Sequence, residues 1–221
     1  SLDGSPFQVS GSFMGLSAGT YLVQLQDVLG CIVDTLVDIT QPDSLEVGLD
    51  DLRMVDCFGN QTASVQLQGV GGQGGYTFSF NGGPFSATDS FINLAAGAYP
   101  IVIQDDSACT NQDTLIITEP NPLDGQVTNI LDVDCFGNAS GAVTLSGLGG
   151  TTPYQFGLDS NLVSLDNVID SLPAGSYTFY VRDDSSCLDS VTATIAEPPL
   201  LTAFVTGASN VDCNGNNTGV L

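Results

Sequence analysis

One block of residues recurs at a fixed step along this chain, and that recurrence limits the fold more than any other feature. Cys57-Phe58-Gly59-Asn60 returns as Cys135-Phe136-Gly137-Asn138 and again as Cys213-Asn214-Gly215-Asn216, each 78 positions on. Cys31, Cys109 and Cys187 keep the same step, as do Gly19, Gly97 and Gly175, Tyr21, Tyr99 and Tyr177, and Pro42, Pro120 and Pro198. A unit of this size is too long for a solenoid repeat and falls in the range of an independent domain, about 50–200 residues. The expected organisation is the C-terminal part of one copy (1–43), two complete copies (44–121 and 122–199) and the N-terminal part of a further copy (200–221). Ser1 aligns with Ser79, and Leu221 with Val65 and Val143, all at expected strand positions. The chain is therefore expected to be a window onto a longer array, since half-sandwiches leave sheet edges open.

Each copy reads as an all-β sandwich, so the expected fold is a row of tandem immunoglobulin-like domains, beads on a string. Gly, Pro, Asn and Asp punctuate short alternating runs. In the first complete copy an edge strand is expected within 45–55, then the Asp56–Asn60 turn, then a strand on which Val65 and Leu67 alternate. Tyr76, Phe78 and Phe80 sit at every second position of the next run, the period that puts side chains on one face of a strand. Strands follow at 91–94, at 99–104, and around Leu115 and Ile117. Leu-x-x-Gly-x-Tyr recurs at 16–21, 94–99 and 172–177, a pattern that suggests a tyrosine corner. Glu119-Pro120 closes the copy, and the proline stiffens the joint to the next. No sustained helical period is present.

Charge narrows the function. The chain carries 25 acidic residues against 2 basic ones, a net charge of −23, with no His and no Trp. Such a balance argues against nucleic acid, whose phosphates need Lys and Arg, and against anionic lipid. No apolar run of about 18 residues suggests membrane insertion. The 42% hydrophobic content separates the chain from disordered acidic tails. Paired carboxylates are the only catalytic chemistry this composition offers, and short polar turns form no deep pocket to shift their pKa values. The chain is not expected to be an enzyme.

The candidate sites are few. The six cysteines lack C-x-x-C pairing and histidine partners, which argues against zinc and for disulfides in an oxidising compartment. Bonds Cys57–Cys109 and Cys135–Cys187 within each copy are the favoured pairing, as the commonest arrangement in extracellular domains. Cys31 and Cys213 then pair outside the window or with neighbouring copies. A rival set, Cys31–Cys57, Cys109–Cys135 and Cys187–Cys213, would bolt consecutive copies together. Immunoglobulin topology puts the turn and the loop at opposite poles, beyond the ~7 Å limit on Cα separation, which counts against both sets. It leaves a third option, such as Cys57 with Cys187.

Asp132, Asp134 and Asn138 gather oxygen ligands that suit calcium, the one cofactor admitted here, although the Arg53-Met54 stretch of the first copy lacks the first of them. The formal sequons at Asn60, Asn138 and Asn216 read more simply as turn residues. Thr35, Ser44, Thr114, Ser171 and Ser190 each follow an Asp and precede an apolar residue, a candidate O-glycosylation signal.

Taken in order, Cys-Phe-Gly-Asn, Gly-Gly-x-x-Pro-Tyr-x-Phe (149–156), Leu-Pro-Ala-Gly-Ser-Tyr-Thr (172–178), Arg-Asp-Asp-Ser-Ser-Cys (182–187) and Ile-Ala-Glu-Pro (195–198) resemble the SprB-type repeat of giant gliding-motility adhesins of Bacteroidota. In the first complete copy Gly75 and Ala95 replace the two prolines of this pattern. The resemblance implies type IX secretion and display on the outer membrane as filaments, driven by a gliding motor and gripping the substratum. The expected function is a structural and adhesive shaft segment whose partners are neighbouring copies, a motor or anchor reached through other regions, and surface polysaccharide or substratum. The alternatives are a polysaccharide- or calcium-dependent binding module and a spacer of a secreted hydrolase.

Overall fold

Alternation of apolar and polar residues becomes strands wherever the sequence shows it. The computed structural model describes residues 1–220; Leu221, expected inside a strand, lies outside the described residues. Fifteen strands and no helix occur among them. They are β1 (Gly19–Gln26), β2 (Ile32–Ile39), β3 (Glu46–Arg53), β4 (Ala63–Val70), β5 (Thr77–Phe80), β6 (Ser90–Leu94), β7 (Gly97–Gln104) and β8 (Thr110–Ile117). The chain continues with β9 (Asp124–Leu131), β10 (Gly141–Leu148), β11 (Gln155–Asp159), β12 (Leu162–Ser164), β13 (Val168–Leu172), β14 (Gly175–Arg182) and β15 (Leu188–Ile195). Strands β4, β7 and β8 start at Ala63, Gly97 and Thr110, and β10, β14 and β15 start 78 positions later at Gly141, Gly175 and Leu188.

Two compact units divide the chain. The first comprises Ser1–Arg53, Ser64–Ile92 and Gly97–Ile116. Its sheets are β1-β2, β3-β4-β6 and β5-β7-β8, the last two matching the A-B-E and C-F-G division of an immunoglobulin-type sandwich. Val65, Leu67, Phe78, Ile101 and Ile103 are buried in it. The alternating aromatics divide their roles. Phe78 enters the core, whereas Phe80 stacks on Phe91 with centroids 4.0 Å apart and on Tyr99 at 5.3 Å. The Tyr76 ring lies against Gly69, where a Cβ would collide with it, and its hydroxyl donates to the Gly71 carbonyl at 2.6 Å.

The second unit comprises Met54–Ala63, Asn93–Ala96 and Ile117–Leu221, described as far as Val220. Its sheets are β9-β10-β13 and β12-β11-β14-β15, all antiparallel. One cluster fills the space between them: Val143 and Leu145 from β10, Phe156 from β11, Leu172 from β13, Phe179 and Val181 from β14, and Ala193 and Ile195 from β15. Burial at about 25 cal/mol per Å² of apolar surface makes such a two-sheet cluster the main source of stability. Tyr177 donates its hydroxyl to the Pro173 carbonyl at 2.8 Å, and in the first unit Tyr21 does the same to Ser17 at 2.8 Å. These are the tyrosine corners that the Leu-x-x-Gly-x-Tyr pattern suggests.

Candidate functional site: two carboxylate-clasped cysteine loops and the cystine they form

The cysteines sit on two kinds of loop, each closed around one aspartate. The first kind is the turn before β4 and β10. Asp56 Oδ1 accepts hydrogen bonds from the Cys57 N–H at 2.6 Å, the Asn60 side-chain amide at 3.1 Å and the Thr62 hydroxyl at 2.6 Å. The Thr62 oxygen in turn accepts from the Asp56 N–H at 3.1 Å. Asn138 and Ser140 donate in the same way to Asp134, at 3.0 and 2.6 Å, and Cys213, Asn216 and Thr218 to Asp212, at 2.8, 2.8 and 2.7 Å. Gly59, Gly137 and Gly215 hold φ of +77°, +79° and +90°, a region where a side chain is strained, which explains why the motif has glycine there. An exposed carboxylate with three donors on one oxygen favours its charged form. The Thr62 hydroxyl lowers the pKa of Asp56 most, Ser140 that of Asp134, and the Asn216 amide that of Asp212.

A glutamate fixes this turn from the end of the same copy. The Gly137 N–H donates to Glu197 Oε2 at 2.8 Å, and the Gly59 N–H to Glu119 Oε2 at 2.6 Å. The Glu-Pro that closes each copy thus also clamps its first turn.

The second kind is the loop before β2, β8 and β15. Asp183 is buried; its Oδ1 accepts from the Cys187 N–H at 2.8 Å and its Oδ2 from the Thr151 N–H at 2.8 Å, while Ser186 takes φ of +69°. Asp105 is buried in the same way, with Oδ1 accepting from Ser107 at 3.0 Å and Cys109 at 2.9 Å, and Oδ2 from Gln73 at 3.0 Å. Asp27 accepts from Leu29 and Cys31 at 2.9 and 2.8 Å. Desolvation raises the pKa of Asp105, but the N–H groups of Gln73, Cys109 and Ser107 together outweigh it, and the net shift is downward.

One disulfide joins a turn to a loop within the second unit: Cys57 to Cys187, with Cα atoms 5.7 Å apart and 130 residues between them in sequence. Cys57 belongs to the turn of one copy and Cys187 to the loop of the next. Each sulfur forms one such bond, so the favoured pairs Cys57–Cys109 and Cys135–Cys187 are both replaced, as are Cys31–Cys57 and Cys187–Cys213 of the rival set. The second copy shows the reason. Glu197, just past the end of β15, holds the Cys135 turn, whereas Cys187 lies just before the start of that eight-residue strand. At about 3.3 Å per residue the strand separates them by roughly 26 Å, far beyond disulfide reach. Cys31, Cys109, Cys135 and Cys213 carry free, exposed thiols. A shallow cleft of about 430 Å³ lies beside the cystine, lined by Phe58, Asn60, Pro122, Leu123 and Leu188 among others.

The remaining candidates separate. Asp132 accepts from the Ala196 N–H at 2.8 Å while Asp134 closes its turn with Asn138 as donor. No group of three or more His, Cys, Asp or Glu placed to hold a metal occurs among the described residues. The oxygens that suggested calcium are occupied by turn closure. The formal sequons are the donor set of the aspartate cage: asparagine and hydroxyl at i+4 and i+6 both point to the carboxylate. Thr35, Ser44, Thr114, Ser171 and Ser190 are all exposed, and Ser171 donates to Asp170 at 3.1 Å. Sequence reasoning treated Asp56, Asp105, Asp183, Glu119 and Glu197 as turn or joint residues and did not see that they position the cysteines. Their recurrence beside Cys and Pro was the available signal.

The family model described as the SprB repeat matches residues 127–162. This chain contains an SprB repeat. The matched stretch of that repeat runs from within β9 to within β12 and includes the whole Asp134 cage. Among solved structures, the chain is similar to three N-terminal domains of the bacteriophage RB49 highly immunogenic outer capsid protein, at 16% identity and a TM-score of 0.44 over 69% of this chain and 59% of that one. It is similar also to extracellular domains 3–5 of Drosophila OTK, at 15% identity and a TM-score of 0.30 over 82% of this chain and 72% of that one. The chain thus spans about three fifths of the capsid-protein structure it matches. No curated protein sequence matches it.

Proposed function

We propose that this chain is a shaft segment of a long secreted cell-surface filament of the adhesin type, contributing reach and resistance to pulling rather than catalysis. The observation that carries the reading is the Cys57–Cys187 bond, which ties the first turn of one copy to the last loop of the next. A covalent tie of that kind is of use to a chain that bears load along its length. The SprB repeat supports a structural module of surface-adhesin type, and a net charge of −23 keeps neighbouring chains apart. The finer reading is a gliding-motility adhesin, exported by type IX secretion, anchored at the outer membrane and driven by a motor bound through other regions. Its partners are then neighbouring repeats and the substratum.

A second reading, a polysaccharide-binding face, draws on Phe58 and Phe136, both more than half exposed at matching turn positions, the former beside the cleft. Asn214 at the third position breaks that set. Antibody to one repeat, applied to living cells and followed by microscopy, tests the proposal. Label moving along the cell body supports the motile adhesin, and label on stationary filaments supports a static shaft and removes motility. Label that binds only after lysis contradicts surface display.

A further inference from the structure

We propose that the Cys57–Cys187 bond is one rung of a regular series, so that an array of these copies is held by two interlaced covalent rails; this rests on the shaft reading and extends it. The argument starts from the loops. The turn cage that presents Cys57 is built with the same partners around Cys213, from Asp212, Asn216 and Thr218. At Cys135 Asp134 is clasped by Asn138 and Ser140. The loop cage that presents Cys187 is built again around Cys109 by Asp105 and around Cys31 by Asp27. Every cysteine therefore sits in one of two geometries, and the one bonded pair joins one of each across 130 residues. Cys109 and Cys135 are exposed free thiols on these prepared loops. Applying the same step assigns each a partner. Cys109 takes the turn cysteine of the copy before it, and Cys135 takes the loop cysteine of the copy after it.

The consequence is topological. A loop cysteine and the next turn cysteine are 26 positions apart: Cys31 to Cys57, Cys109 to Cys135, Cys187 to Cys213. A covalent path that alternates these short backbone stretches with rungs runs the length of the array. It enters only every second joint, and a second path of the same kind serves the joints between. Load carried on a rail bypasses both sandwich cores. Each pair of copies can then lengthen only as far as 26 residues allow, about 90 Å at ~3.5 Å per residue. Each rung forms from two thiols that lose two protons and two electrons. The acceptor is a protein disulfide of the oxidising compartment, which leaves as the dithiol after exchange through a mixed disulfide.

The test is a peptide map of the full-length chain isolated without reduction. Free thiols are alkylated first, and the chain is cleaved at Asp and Glu and with pepsin. The turn sequences differ enough to be told apart by mass. The expected result is each turn peptide linked to the loop peptide of the following copy, with no alkylated cysteine inside the array. Bonds within a copy, bonds between consecutive turn and loop cysteines, bonds between separate chains, or alkylated cysteines at internal joints would each overturn the rails. The map is read on the isolated chain and does not depend on where the cell places it, so its failure is separable from failure of the surface-shaft reading.

Discussion

The β1-β2 hairpin and the β14-β15 hairpin have the same strand plan and very different surroundings. Gly19 pairs with Ile39 in the first and Gly175 with Ile195 in the second, and the registers run in step to the opposite ends, Gln26 with Ile32 and Arg182 with Leu188. Both carry a tyrosine corner. Yet Leu25 is 70% exposed and Val37 43%, whereas Val181 and Ala193 at the matching positions are 0% and 9% exposed. In the second case β9-β10-β13 supplies the opposing apolar face; β1-β2 forms a two-stranded sheet on its own. Local pattern and corner chemistry thus suffice to set pairing and register. Burial, and with it most of the stability, comes from the facing sheet.

The sharpest way to break that comparison is a core truncation made in both places. Phe179→Ala, at a fully buried site, should cost the second sandwich about 3–5 kcal/mol in denaturant unfolding, whereas Val23→Ala at the matching hairpin position should cost under about 1 kcal/mol. Equal losses would show that the hairpin has a core of its own. Next in size, replacing Cys57 and Cys187 together by Ser should lower stability by about 2–5 kcal/mol in non-reducing thermal unfolding and leave hydrogen exchange in β1-β2 unchanged. Tyr177→Phe removes one corner bond and should cost about 1 kcal/mol. The same change at Tyr21 should be hard to measure, because little cooperative structure depends on it.

The smallest effect is in pH. Asp56, Asp105 and Asp134 have folded pKa values below the usual carboxylate value. Their contribution is fully present above the unfolded value of about 3.9 and is lost as pH falls through the folded values. Stability should therefore decline below about pH 4, and Asp134→Asn should flatten part of that decline. An unchanged slope in the variant would show that the cage gains nothing from ionisation.

Much of the fold was legible because period two and turn residues act locally. The expected strands around Val65, Tyr99 and Ile117 appear where the alternation puts them, and Gly-x-Tyr foretold the corners. The cysteine pairing was not legible in the same way. It depends on which pole each loop occupies and on which copy lies beside it, and sequence spacing carries neither. The clue was chemical: an Asp before every turn cysteine with Asn and Ser or Thr four and six residues on, which reads as a sequon or an oxygen-ligand cluster until the carboxylate is seen to accept all three bonds. Phe80 was expected in the core with Phe78, but consecutive odd positions of a short strand reach different neighbours, and its ring instead stacks on Phe91 and Tyr99.

The central claim is that the Cys57–Cys187 bond takes load past the segment it encloses. Stretching single molecules of this chain by its ends, first oxidised and then after a reductant is added, tests it most directly. The bond withholds 130 residues from extension, so reduction should lengthen the fully stretched chain in one step of about 450 Å at ~3.5 Å per residue. Two separate steps of about 180 Å each, the signature of bonds within each copy, or no change at all, would contradict it.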